Sequence, residues 1–373
     1  MKKILFTLFV IMSLTACSDD EIASPEIGLT EPDGGYTIDK MQWLRIQPEV
    51  KNANDATFSW SLEGEEIAST ANLVYVFAEA GTYNLEFKAK NAGGENSKTF
   101  AITVNDKTYL NKITQVFDYF PAPGQSVNKF PTATEDDTSE SMRVKAQTAL
   151  KAGNLISLGG FGGYVVFGFD HTVINKEGND FSVLGNAFTN GAEPGIIMVS
   201  YDANGNGKAD DEWYEIAGSE HSKSTTIKNY EITYYKPETE PTNASEPNYI
   251  RWTDNQEQTG YIAKNRFNTQ SYFPLWKGET ITLKGTLLTS NLVQQGFWMT
   301  PPYEWGYADN WPNTDAKTQI NLDWAVDKDG KAVQLQGIDF VKVYTANLAG
   351  NSVTGEASTE VSGFTDLNLV LNK

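Results

Sequence analysis

Thr57-Phe58-Ser59-Trp60-Ser61-Leu62 alternates polar and apolar side chains at a period of two. Successive side chains leave a strand on opposite faces, so this alternation reads as a half-buried β-strand. Tyr83-Asn84-Leu85-Glu86-Phe87 repeats the pattern. Turn-forming stretches fall around the two runs: Glu63-Gly64-Glu65, Glu79-Ala80-Gly81 and Asn91-Ala92-Gly93-Gly94. Short strands separated by such turns are the mark of a β-sandwich. Residues 27–105 are therefore expected to form a small sandwich, with Trp60 in its core.

The same residues carry a resemblance. Phe58-Ser59-Trp60, Glu63-Gly64, Ala80-Gly81-Thr82-Tyr83, Asn91-Ala92-Gly93-Gly94 and Ile102-Thr103-Val104 resemble a PKD domain, an immunoglobulin-like module common on bacterial surface proteins. The resemblance covers nearly all of 27–105. It implies a spacer or contact module, with Tyr83 facing the core.

Beyond the linker Asn105-Asp106-Lys107, residues 121–152 are polar, with a short helix expected near 141–150. From Gly153 onward β signals dominate. Tyr164-Val165-Val166-Phe167, Ile196-Ile197-Met198-Val199 and Phe340-Val341-Lys342-Val343-Tyr344 are apolar runs bounded by turn residues. Long helical periodicity is absent. The chain reads as all-β: an immunoglobulin-like sandwich over 27–105, then a larger sandwich of the jelly-roll kind over 107–373, with two packed sheets.

The first residues address the chain. Lys2 and Lys3 precede an apolar run ending near Leu14, then Thr15-Ala16-Cys17. The run is too short to span a bilayer and fits a secretory signal over 1–16. Cys17 is the only cysteine among 373 residues. It stands where lipidation of a bacterial lipoprotein occurs. The acidic run Ser18-Asp19-Asp20-Glu21 resembles the surface-export signal of Bacteroidota lipoproteins. Residues 17–26 are read as a lipidated tether, and the outer-membrane surface as the location. Without disulfides, stability must come from packing or metal. The net charge is −19. That field repels phosphate backbones and argues against nucleic acid. Two histidines leave little room for a histidine-rich zinc site. Both are read as non-catalytic, His171 hydrogen-bonded at a strand end and His221 solvated.

Two motifs carry chemistry. Asp202, Asn204, Asn206 and Asp210 place oxygen side chains at the first, third, fifth and ninth positions of an EF-hand-like loop, with Gly207 at the sixth and Lys208 offering its carbonyl at the seventh. Trp213 occupies the twelfth position, so the motif is only half an EF-hand. It reads either as a structural calcium loop between strands or as a plain Asn-Gly hairpin. The second motif is aromatic: Trp276, Trp298, Tyr303, Trp305, Tyr307 and Trp311, with Asn310 among them. Trp and Tyr offer rigid area with a polar handle, which suits amphipathic ligands. These residues are the expected ligand face, with core packing as the alternative. No nucleophile elbow, metalloprotease helix or phosphate loop is present, and no enzymatic activity is expected.

A second resemblance spans most of 150–345. Gly159-Gly160-Phe161-Gly162-Gly163-Tyr164, Phe169-Asp170-His171, Gly185-Asn186-Ala187-Phe188, Glu193-Pro194-Gly195-Ile196, Trp305-Gly306-Tyr307-Ala308-Asp309-Asn310 and Asp323-Trp324-Ala325-Val326 resemble a family of PKD-bearing surface lipoproteins of gut Bacteroidota. The resemblance implies binding of cobalamin or a related corrinoid and its transfer to a TonB-dependent outer-membrane transporter. Glycan capture for a polysaccharide uptake system fits the aromatic and calcium features equally well. A polymer hydrolase or a purely structural adhesin fits them less well.

Overall fold

The computed structural model describes residues 22–351 and 353–371. The signal segment 1–16 and Cys17 lie outside the described residues. Two compact units are present. One comprises 22–38, 44–74 and 80–105; the other comprises 39–43, 75–79 and 106–371.

The first unit is built on a five-stranded antiparallel sheet. Its spatial order runs Tyr36–Asp39, Gly94–Asn105, Gly81–Asn91, Thr57–Leu62, Glu65–Ala68. The predicted strand Thr57–Leu62 forms as expected and pairs Trp60 with Phe87. Trp60 is fully buried, with its ring centroid 4.4 Å from that of Phe87, and its indole N–H donates to the Thr70 carbonyl at 3.0 Å. That bond lets a large aromatic enter the core without stranding its polar atom. Leu85, Phe87 and Ala89 follow one another inward along the Gly81–Asn91 strand, while Tyr83 is half-buried.

The second unit is β-rich on three levels. A six-stranded antiparallel sheet forms its centre, in the order Gln115–Phe120, Tyr164–Ile174, Gly337–Thr345, Gly195–Ser200, Tyr214–Ile216, Ala325–Val326. One face carries Val165, Phe167, Val341 and Val343, which pack with Phe181, Phe364 and helix residues Met142, Ala146 and Leu150. The other carries Ile196 and Tyr344. These join Tyr230, Ile232, Tyr234, Ile281 and Leu283 of a four-stranded sheet over Ile227–Leu287. The central sheet is therefore covered on both faces, which is more than the two-sheet jelly roll expected. The apolar runs at 164–167, 196–199 and 340–344 give the reason: neither face of these strands is polar enough to meet water.

The helix spans Ser139–Lys151, three residues longer than the sequence indicated. Thr138 caps it: its side chain accepts from the Ser141 N–H, and the Ser141 hydroxyl returns the bond to the Thr138 N–H. Near the end of the described chain, Gly363–Asp366 pairs with Phe181–Leu184, and Glu360–Val361 pairs with Ile156–Ser157.

Candidate functional site

A short hairpin, Gly350–Asn351 paired with Gly355–Glu356, projects between two depressions of the large unit. Its turn is set by Asn351, whose side-chain oxygen accepts the N–H groups of Val353 and Thr354 at 2.7 and 3.0 Å. Gln125 ties the hairpin down. Its amide donates to the carbonyls of Thr354 and Glu356, and its side-chain oxygen accepts from Asn265 and Asn268. Its own N–H donates to Glu356 Oε1 at 2.6 Å.

On one side lies a 290 Å³ cavity lined by Phe188, Asn190, Glu193, Trp298 and Met299. On the other lies a 110 Å³ cavity lined by Tyr234, Trp252, Tyr261 and Asn347. Hairpin residues Ala349, Gly350, Gly355, Glu356 and Ala357 line both. Large apolar side chains stand open here: Phe188 is 67% exposed and Tyr261 46%. A cluster of this kind on a protein surface marks a binding site more often than a solvated face. Two rings sit on glycines. A Cβ at Gly191 would run into the Phe188 ring, and a Cβ at Gly260 into the Trp252 indole. The glycines let both rings approach the backbone closely.

The aromatic residues singled out in the sequence separate into three groups. Trp298 lines the larger cavity. Tyr303, Tyr307 and Asn310 are buried, so as a ligand face they are corrected to scaffold. Asn310 accepts the Tyr303 N–H at 2.8 Å and donates to the Tyr303 carbonyl at 2.9 Å. The Tyr303 and Tyr307 rings meet at 5.3 Å, and the Tyr307 hydroxyl accepts the Glu220 N–H. Trp305, Trp311 and Trp276 are half-buried against neighbours. Trp305 packs on Trp324 at 4.6 Å, Lys317 lies over Trp311, and Trp276 stacks on Tyr119. Tyr303, Tyr307 and Asn310 hold the 301–313 segment together, and Trp305 and Trp311 pack against residues outside it. Phe188, Tyr261, Trp252 and Gln125 were missed: nothing local distinguishes an exposed Phe from a core one.

A second cleft, of 650 Å³, lies between Met198, Lys342 and Tyr344 of the central sheet and Lys284, Gly285 and Thr286 of the four-stranded sheet. Trp213 and Lys342 also line an adjoining cavity of 400 Å³. His221, expected in solvent, is half-buried in this cleft and bonds Glu215 Oε1 through Nδ1 at 2.8 Å. Thr286 donates to the other Glu215 oxygen at 2.7 Å, and Lys228 lies 3.2 Å from the carboxylate. Burial pushes the Glu215 carboxyl up, but His221, Lys228 and Thr286 together hold it below its ordinary value. Burial lowers the Lys342 ammonium, whose Nζ sits 4.1 Å over the Tyr164 ring.

The loop from Asp202 to Asp210 joins the paired strands Gly195–Ser200 and Tyr214–Ile216. It wraps around Asp202, whose carboxylate accepts the N–H groups of Asn206 and Gly207. Asn204 accepts the Asn206 N–H, and Asn206 accepts the Lys208 N–H at 2.8 Å. The amides of Asn204 and Asn206 donate to Asp210, and Asn204 also reaches Asp211. Thus Asp202, Asn204, Asn206 and Asp210 converge, and Asp211 joins them with a buried Oδ2 that has no hydrogen-bond partner among the described residues. The donor set is all oxygen once the amides turn their oxygens inward, which is the chemistry calcium takes.

Residues 24–91 match the family model of a PKD-like domain. No protein of curated function matches the chain in sequence. Among solved structures, an I-band fragment of titin, I67–I69, is similar over 25% of this chain at 15% identity and a TM-score of 0.19. The chain spans only 37% of that fragment. The SusE-like protein BT2857 is similar over 92% of this chain and 96% of its own, at 7% identity and a TM-score of 0.27. SGBP-B of the Bacteroides ovatus mixed-linkage glucan utilization locus, in complex with a mixed-linkage heptasaccharide, is similar over 90% of this chain and 69% of its own. Its identity is 12% and its TM-score 0.20.

Proposed function

We propose that the protein captures an extended glycan at the cell surface, without chemical conversion, on the face divided by the Gly350–Glu356 hairpin. The observation that carries this reading is the pair of small cavities, each with its own aromatic ring, on either side of one polar ridge. Sugar rings stack on flat aromatic faces and offer their hydroxyls to amides and carboxylates at the edge. Phe188 with Trp298 and Trp252 with Tyr261 are the platforms. Asn190, Glu193 and Asn351 are the polar rim. Two separated platforms suit a chain of rings better than one broad planar ligand. Delivery to a TonB-dependent transporter, from a lipid tether at Cys17, completes the proposal.

A second reading is favoured by the 650 Å³ cleft. It lies in the size range of small-molecule sites, and with its neighbour across Trp213 it offers room for a corrinoid. The sequence resemblance over 150–345 points the same way. Both readings are tested together. The chain from residue 18 is screened on a glycan array, and is also passed through a desalting column after mixing with cyanocobalamin. Glycan binding that Phe188→Ala weakens about tenfold, equivalent to ~1.4 kcal/mol, supports the first reading. Corrin absorbance travelling with the protein, and lost in Trp213→Ala, replaces it with the second. Neither signal, with a normal melting curve, overturns both.

A further inference from the structure

Three carboxylates meet inside the large unit with no base among them. Oxygens of Glu193, Asp309 and Glu360 all lie within 4.8 Å of one another. Asp309 and Glu360 are buried and Glu193 is half-buried, facing the 290 Å³ cavity. Ion pairs elsewhere in the unit, such as Lys223–Glu220 and Lys264–Glu240, use other residues. A fourth carboxylate points to a missing partner. Glu356 is 9% exposed and lines the same cavity as Glu193; its Oε2 has no hydrogen-bond partner among the described residues.

Burying one uncompensated carboxylate costs several kcal/mol, and several together repel one another. Burial and the neighbouring charges push the Glu360 carboxyl far up, and burial together with the nearby Glu193 pushes that of Glu356 to about 8. Hydrogen bonds relieve part of this. Asp309 accepts N–H groups from Asn186, Ala187 and Glu360, Glu193 accepts from Ser358 N–H, and Glu360 accepts from the Ser358 hydroxyl. These bonds fix the oxygens in place but supply no positive charge.

We propose that Glu193, Asp309 and Glu360 bind a divalent cation, calcium, at a site separate from the 202–210 loop. Oxygens held at about 2.3–2.6 Å from one calcium ion stand up to ~5 Å apart, which matches their spacing. The set contains no histidine or cysteine, so it suits a hard cation. The inner atom of the Asn186 amide lies 3.2 and 3.3 Å from the two Asp309 oxygens. With its oxygen inward it adds a neutral ligand. The ion enters from the cavity, past Glu193, and ties the 186–193 segment to the strand at 360–361.

The test separates this site from the loop by starting from Asp202→Ala. In calcium chloride alone, Asp202→Ala is expected to retain one calcium per chain after equilibrium dialysis and to melt higher than in chelator. Adding Glu193→Gln or Glu360→Gln is expected to weaken that binding at least about tenfold. In chelator, either addition should melt above its parent, because an isosteric amide removes one of the mutually repelling carboxyl groups. A purely structural role would give the opposite shift. Should the Glu360→Gln chain fail to fold, Glu193→Gln decides, since its amide oxygen can still accept the Ser358 N–H. Absence of bound calcium in Asp202→Ala, or undiminished binding in the Glu193→Gln double variant, overturns the proposal.

Discussion

Phe188 is 67% exposed, and its ring comes so close to Gly191 that a Cβ there would collide with it. Gly191→Ala is therefore expected to lift the ring and weaken ligand binding about as much as Phe188→Ala, with the melting temperature changed little. Titration calorimetry with the ligand from the array checks this, and equal affinity in Gly191→Ala and wild type would refute it. His171 gives a second prediction. It is buried, with Nδ1 2.9 Å from Asp170 and Nε2 3.0 Å from Asp366. Burial pulls its pKa down, but the bonds to Asp366 and Asp170 win and leave it above the ordinary value of histidine. A group with a raised folded pKa stabilises fully below its unfolded pKa, and loses that contribution as pH rises through the folded one. The melting-temperature gap between wild type and His171→Gln should be wider near pH 6 than near pH 9, a range about the ordinary histidine value. A gap independent of pH would mean that packing alone holds His171. The sequence read it as a hydrogen-bonded residue at a strand end, but it lies inside the Tyr164–Ile174 strand, with three strand residues after it. Asp366, 195 residues away, was not legible, because no local pattern signals a partner at that distance.

At the scale of elements, the period-two runs announced the strands, and Thr57–Leu62 and Phe340–Tyr344 lie within strands as read. The candidate site was less legible. Its hairpin has only two residues a side, and its rim is assembled from segments near 125, 190, 260, 298 and 350. The aromatic density of 297–311 was visible, but apart from Trp298 its Trp and Tyr side chains pack against one another or against neighbouring residues. The 202–210 loop carries its own prediction. If calcium binds there, limited proteolysis within 203–209 should be slow in calcium and fast in chelator. Asp202→Ala should be cut quickly in both. Equal cleavage of wild type in the two conditions would leave a plain hairpin, held by the hydrogen bonds of Asp202 and Asn204.

At the scale of the whole molecule, both candidate cavities lie in the large unit. That unit includes residues 39–43 and 75–79, which a cut at the 105–107 linker would remove. Within it, Trp43 donates to Asp339 Oδ2 at 2.7 Å and Thr172 N–H donates to the Met41 carbonyl. A chain beginning at residue 106 is expected to bind ligand within about twofold of the full chain, yet to melt several degrees lower, since ~1 kcal/mol moves a domain of this size by a few degrees. Binding lost together with intact melting would place part of the ligand site in the PKD-like unit. The position of Gly363–Asp366 has a kinetic meaning. This strand pairs with residues some 180 positions earlier, and the helix and central sheet share its core. A chain still on the ribosome cannot complete that core until residue 366 has emerged. Such late closure is slow, because distant segments must find each other before any contact rewards them. A prematurely terminated product would expose Phe181, Phe167 and Val183 to proteases rather than persist as a partly working protein.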